Sequence, residues 1–130
     1  MELFNFKDGI LYFKARDQYN FESLIAAFRK AFADRRFIPN KTPLYVDINQ
    51  SETGLVYDEI SRLVKYIAKH RVSRVAVLVS DALSFGFARI CYRFYYTEGI
   101  KAKVFTEPIK AQGFCSGVID EPEPVRRYVS

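Results

Sequence analysis

At 130 residues, 49% of them hydrophobic and 27% charged, the chain is sized for one domain that buries roughly two-thirds of the surface its unfolded form exposes. No apolar run approaches the ~20 residues needed to cross a bilayer, which excludes a membrane-spanning helix, and the start Met1-Glu2-Leu3-Phe4-Asn5-Phe6-Lys7 lacks the order of a signal peptide. A cytoplasmic protein is expected. The net charge of +5 comes from twenty Lys and Arg against fifteen Asp and Glu, with the bases spread along every element rather than in one dense run, so specific nucleic-acid binding is not expected.

The opening runs Phe4-Asn5-Phe6-Lys7 and Ile10-Leu11-Tyr12-Phe13-Lys14 flank Asp8-Gly9, a dipeptide that takes positive φ at both turn centres and closes a tight hairpin. Asn20 then caps a helix extending to about Asp34, in which Phe21, Leu24, Ile25, Phe28, Ala31 and Phe32 recur at helical spacing. Two prolines and Asn40 make the stretch 35–43 irregular. Residues 44–48 read as a buried strand, 49–54 as a polar loop, and 55–70 as a helix whose stripe is Ile60, Leu63, Val64 and Ile67. Acids precede bases along that helix, as its dipole favours, and Ser51 or Thr53 is a candidate cap.

The run 75–79 is uninterruptedly apolar, as a strand covered on both faces requires. Ser80 or Asp81 caps a third helix that ends at Gly99, residues 101–105 alternate like an edge strand, and Pro108 opens a last short helix ending before Gly117. The residues 118–130, with two prolines and three acids, read as a loosely ordered tail. This alternation predicts a single α/β domain over residues 1–130: a four- or five-stranded mixed sheet, antiparallel at the first hairpin and parallel after it, with about four helices.

The third helix carries more apolar surface than one sheet face can cover. Wound at about 100° per residue, its polar wedge holds only Arg89 and Arg93, with Gly86 and Thr97 beside it. Ala88, Cys91 and Tyr95 suit the sheet; Phe87, Ile90 and Phe94 form one flank, and Phe85, Tyr92 and Tyr96 the other. An apolar stripe of roughly 100° suffices for a helix lying on a sheet, so one flank is in excess and calls for a cover. Neighbouring elements of the chain, a second copy, another protein or an apolar ligand could supply it. Arg89 and Arg93 border both flanks, where guanidinium forks match carboxylate or phosphate.

Catalytic patterns are sparse. The single histidine, His70, falls at a helix end where it suits the dipole, and no glycine-rich phosphate loop follows a strand. Cys91 and Cys115 have no metal-ligand spacing and are expected as reduced thiols, so neither metal nor cofactor is expected. An enzymatic reading would use Asp47, Ser51 and Asp81 at the carboxyl ends of parallel strands, where open α/β sheets hold ligands; capping and loop-bonding roles also account for these residues.

The hairpin, the strand at 44–48, the loop ending Thr53-Gly54-Leu55 and the cycles after it resemble the STAS fold, named for sulfate transporters and anti-sigma-factor antagonists, in its SpoIIAA-like branch. The resemblance covers nearly the whole chain in element order. In the phosphorylated antagonists the corresponding loop reads roughly Asp-Ser-Ser-Gly-Leu or Asp-Ser-Thr-Gly-Leu, and its first hydroxyl accepts phosphate. Here Ser51-Glu52-Thr53-Gly54-Leu55 places Glu52 at that position, a carboxylate that supplies part of a phosphate's charge permanently, with Ser51 and Thr53 as neighbouring hydroxyls. The resemblance implies a binding or regulatory module and, for the SpoIIAA-like branch, a lipid or other apolar ligand in a cleft. Joined to the excess flank of the third helix, it gives the expected function: a non-enzymatic module that contacts a protein partner, itself included as a homodimer, through the third helix and this loop; the alternative is a carrier of an apolar or lipid-like anionic ligand lined by Phe85, Tyr92 and Tyr96, with Arg89 at its headgroup.

Overall fold

The computed structural model describes residues 4–14, 20–47, 56–79 and 82–117, and leaves the side chains at 82–85, 87, 88 and 91 outside that description. Asp8 and Gly9 take φ of 52° and 77°, the two left-handed conformations that a two-residue hairpin turn needs. They fold β1 (Phe4–Lys7) antiparallel onto β2 (Ile10–Lys14), with Phe4 opposite Phe13 and Lys7 opposite Ile10. The Asn20 side chain accepts from the Ser23 N–H at 2.8 Å and starts α1 (Phe21–Ala33).

After β3 (Leu44–Asp47), α2 (Tyr57–Lys69) starts later than the sequence suggests. Its cap position falls on Val56 rather than on Ser51 or Thr53, because the Glu59 carboxylate accepts from the Val56 N–H at 3.2 Å and satisfies the first turn from within. β4 (Val75–Leu78), α3 (Ala82–Thr97), β5 (Ala102–Phe105) and α4 (Pro108–Ser116) complete the chain. Gly99 and Gly117 follow the last two helices with φ of 79° and 87°. Ile48, the loop residues Ser51, Glu52, Thr53 and Gly54, the candidate caps Ser80 and Asp81, and the tail 118–130 lie outside the described residues.

The five strands lie in chain order, β1-β2-β3-β4-β5, parallel from β2 onward. With every crossover stepping the same way and of the same hand, successive helices fall on one face of the sheet. The pleat sorts the strands accordingly. Leu11, Leu44, Val75 and Ala102 form one row, joined by Phe13 and Val77, and pack under Leu24, Phe28, Ile60, Val64, Ile67 and Tyr95 of α1, α2 and α3. Phe13 and Phe28 stack at 4.3 Å. The opposite face carries Ile10, Tyr45, Ala76, Leu78 and Phe105, and α4 covers it with Ala111, Phe114 and Cys115. β4 is buried at all four positions, as its unbroken apolar run requires.

The amino ends of β2 to β5 and the carboxyl ends of α1, α2 and α3 share one edge of the molecule, and the carboxyl ends of the strands form the other.

Candidate functional site

α3 is oriented as its composition demands, with Tyr95 only 4% exposed against the sheet and Gly86, Arg89, Arg93 and Thr97 on the outer surface. Each aromatic flank has one member turned inward and one outward. On the first, Phe94 is half-buried while Ile90 is 40% exposed; on the second, Tyr92 packs partly against the core while Tyr96 is 74% exposed. Phe85 lies on α3, with its side chain outside the described set. Of the residues singled out on this helix, Arg89, Arg93 and Tyr96 therefore reach the surface together, and Tyr92 does so only in part.

Two further apolar residues join them. Val56 and Tyr57, at the start of α2, are 58% and 63% exposed, and the Tyr57 ring stands edge-on against Phe94 at 4.9 Å. Sequence reasoning missed them because Tyr57 falls seven residues before Val64, on the same stripe of the helix, and a wheel does not show which end of a stripe overhangs its sheet. In the fold that first turn meets α3 instead of a strand.

The strand carboxyl ends hold a different group. Asp47 ends β3 beside Lys14 of β2 and shares a face with Tyr45, whose ring lies 4.7 Å from that of Tyr12; the Gln112 amide donates to the Tyr12 hydroxyl at 3.4 Å. Burial, with a smaller push from the Asp47 charge, raises the Tyr45 phenol to about 12, and burial raises Tyr12 as well. Both phenols stay protonated near neutrality and are not poised as bases.

His70 is at the opposite edge, closing α2 with its Nδ1 3.0 Å from the Tyr66 carbonyl and its ring stacked 4.5 Å from Phe32. Cys115 is on the inner face of α4 with its Sγ 3.7 Å from the Leu44 carbonyl, and burial pushes its thiol up to about 12. His70 and Cys115 thus sit on opposite faces of the sheet and form no nucleophile and base pair. Among the described residues no three His, Cys, Asp or Glu are grouped to hold a metal ion.

A cleft of about 410 Å³ opens beside β1, lined by Phe4, Asn5, Phe6, Lys30, Asp34 and Arg36. The Arg36 guanidinium lies 4.6 Å over the Phe6 ring and donates through Nε and Nη2 to the Asp34 carboxylate at 2.9 and 2.8 Å. Those bonds hold the Asp34 carboxyl well below the usual carboxylate range. The Asp34 and Arg36 charges are consequently matched within the chain. Their spacing, with one residue between them, was the sequence signal for this contact.

The described residues thus define an α/β protein with a mixed five-stranded sheet and four helices, none of them long and apolar enough to cross a membrane. Comparison of the chain with family models, with curated proteins and with solved structures finds no match.

Proposed function

We propose that this chain is a non-enzymatic binding module of the STAS, SpoIIAA-like type, and that it contacts a protein partner, in the first place a second copy of itself, across the outer side of α3. The observation that carries this reading is the exposure of Ile90, Tyr96, Tyr57 and Val56, large apolar side chains that solvent alone would not favour in such number around one helix. A second observation links the two halves of the surface. Val56 and Tyr57 follow residues 51–55 in the chain, and Tyr57 rests on Phe94 of α3, so a partner touching the helix would also meet the residues that come directly after the segment resembling the phosphorylated loop. Arg89 and Arg93 lie between the Ile90 and Tyr96 flanks, where the exposed Arg93 presents a planar fork that matches a partner carboxylate.

The alternative, a carrier of an apolar anionic ligand, draws less support: Tyr92 is drawn into the core while Tyr96 on the same flank points to solvent, and the cleft beside β1 lies away from both. An enzyme built on Asp47 and Asp81 would need an activated base; the phenol beside Asp47, that of Tyr45, is instead held protonated by burial.

Light scattering coupled to size exclusion tests the reading. The wild type is expected at dimer mass, and Tyr57→Glu combined with Tyr96→Glu at monomer mass with an unchanged circular dichroism spectrum, since both side chains are more than half exposed and their loss leaves the core intact. A wild type that stays monomeric as its concentration rises, or a variant that keeps the dimer mass, overturns self-association through this face.

A further inference from the structure

Basic residues that are scattered along the chain come together in the fold. The segments 34–43, 70–74 and 98–101 all emerge at the edge formed by the strand amino ends, and they bring Arg35, Arg36, Lys41, Arg71, Arg74 and Lys101 there against Asp34 and Glu98. Arg36 is committed to Asp34, and Arg74 to the Phe114 carbonyl and ring. Arg35, Lys41 and Arg71 are exposed, and none of the three is ion-paired with a described residue.

The segment 34–43 also holds out an isoleucine. Phe37 is buried at 7% against Phe32, 4.8 Å away, and the next residue, Ile38, turns outward at 51% exposure, followed by exposed Pro39, Asn40 and Lys41. This tip is fixed by its hydrogen bonds. The Thr42 hydroxyl oxygen accepts from the Ile38 N–H at 2.8 Å, the Ile38 carbonyl accepts from Lys41 and Thr42 at 3.0 and 2.9 Å, and Asn40, at φ 70°, donates to the Arg71 carbonyl at 2.6 Å. Asn40 thereby clamps Arg71 beside the tip. An apolar apex held outward on a backbone already satisfied internally, with three cations around its base, loses little conformational freedom on contact.

We propose that this tip docks the protein on an anionic phospholipid bilayer, with Ile38 entering the headgroup boundary and Arg35, Lys41 and Arg71 meeting lipid phosphates. A bilayer offers both chemistries in the order the tip presents them, an apolar layer beneath an anionic one. A nucleic-acid duplex offers phosphates and leaves the isoleucine without an apolar environment. The tip shares no residue with the α3 patch, so vesicle binding is tested independently of self-association.

The chain contains no Trp, which makes Ile38→Trp a unique fluorescent reporter. Its emission is expected to shift to the blue with phosphatidylcholine vesicles containing phosphatidylglycerol and to stay unchanged with phosphatidylcholine alone. In co-sedimentation, the wild type and Tyr96→Glu are expected to pellet with the anionic vesicles. Ile38→Asp should stay in the supernatant, and Arg35→Gln with Lys41→Gln should partition roughly 25-fold more weakly, about fivefold for each charge removed. Circular dichroism confirms that each variant is folded. Absence of wild-type pelleting, equal pelleting with neutral vesicles, or undiminished binding of Ile38→Asp overturns the proposal. So does a random-sequence DNA duplex that strips the wild type from vesicles and binds Ile38→Asp equally well.

Discussion

At the scale of single residues, burial decides what the polar groups of this chain can do. Cys115 is 6% exposed, and desolvation disfavours its thiolate so strongly that the thiol titrates at about 12. Because the neutral form is the one the fold prefers, the thiol is protonated throughout the physiological range and inert as a nucleophile. Iodoacetamide at neutral pH, followed by peptide mapping, is expected to leave Cys115 unmodified in the folded protein and to modify it in denaturant; native labelling would mean that α4 opens readily. The sequence suggests a reduced thiol here, yet could not say that α4 turns it against the sheet, because Cys115 reaches the Leu44 carbonyl across 71 positions of chain. His70 is the contrary case. Its role as a helix terminator was legible because the carbonyl it meets, that of Tyr66, is one turn away. Its stacking on Phe32 joins two different helices and left no local trace.

Single elements show the same division between near and far. The helix at 21–33 could be read to its caps, since Asn20 and the apolar spacing are local, and so could the turn at Asp8 and Gly9. The third helix was legible as overly apolar, but not which members of each flank would stay outside. Its Gly86 faces outward, and within the single chain a Cβ built there meets nothing within 4 Å. In the monomeric Tyr57→Glu, Tyr96→Glu background, Gly86→Ala is therefore expected to stabilise the protein by about 0.5–1 kcal/mol, through the entropy that glycine loses in a helix interior, and to raise the thermal midpoint. A lowered midpoint in that background would show that the chain itself covers this position.

α4 behaves differently, because it is the helix that packs on the second face of the sheet. Phe114 is fully buried, lies 5.5 Å from Phe105, and anchors Arg74 through both its ring and its carbonyl. Phe114→Ala should cost about 3–5 kcal/mol in urea unfolding, the range for removing a buried phenylalanine. A loss below about 1 kcal/mol would mean that α4 is not essential to the closure of that face.

Across the whole molecule, the two proposed surfaces are built from different segments and answer to different measurements: mass in solution for the outer side of α3, vesicle partition for the Ile38 tip. Vesicle binding is also expected to weaken as ionic strength rises, since screening over about 8–10 Å separates exposed cations from lipid phosphates, whereas an apolar dimer contact is comparatively insensitive to salt.

The chain order of hairpin, helices and strands, and with it the mixed α/β sheet, is carried by the sequence alone: turn dipeptides, caps and hydrophobic periods act between residues a few positions apart. Strand order is different in kind, because it is settled by pairing between segments dozens of residues apart, and it determines which helix ends become neighbours. The bases of this chain look dispersed when read in line. Arg35 and Lys41 flank Ile38 within one segment, but only the stacking of β3 beside β4 brings Arg71 to the same edge, and only the packing of α2 against α3 sets Tyr57 beside Phe94.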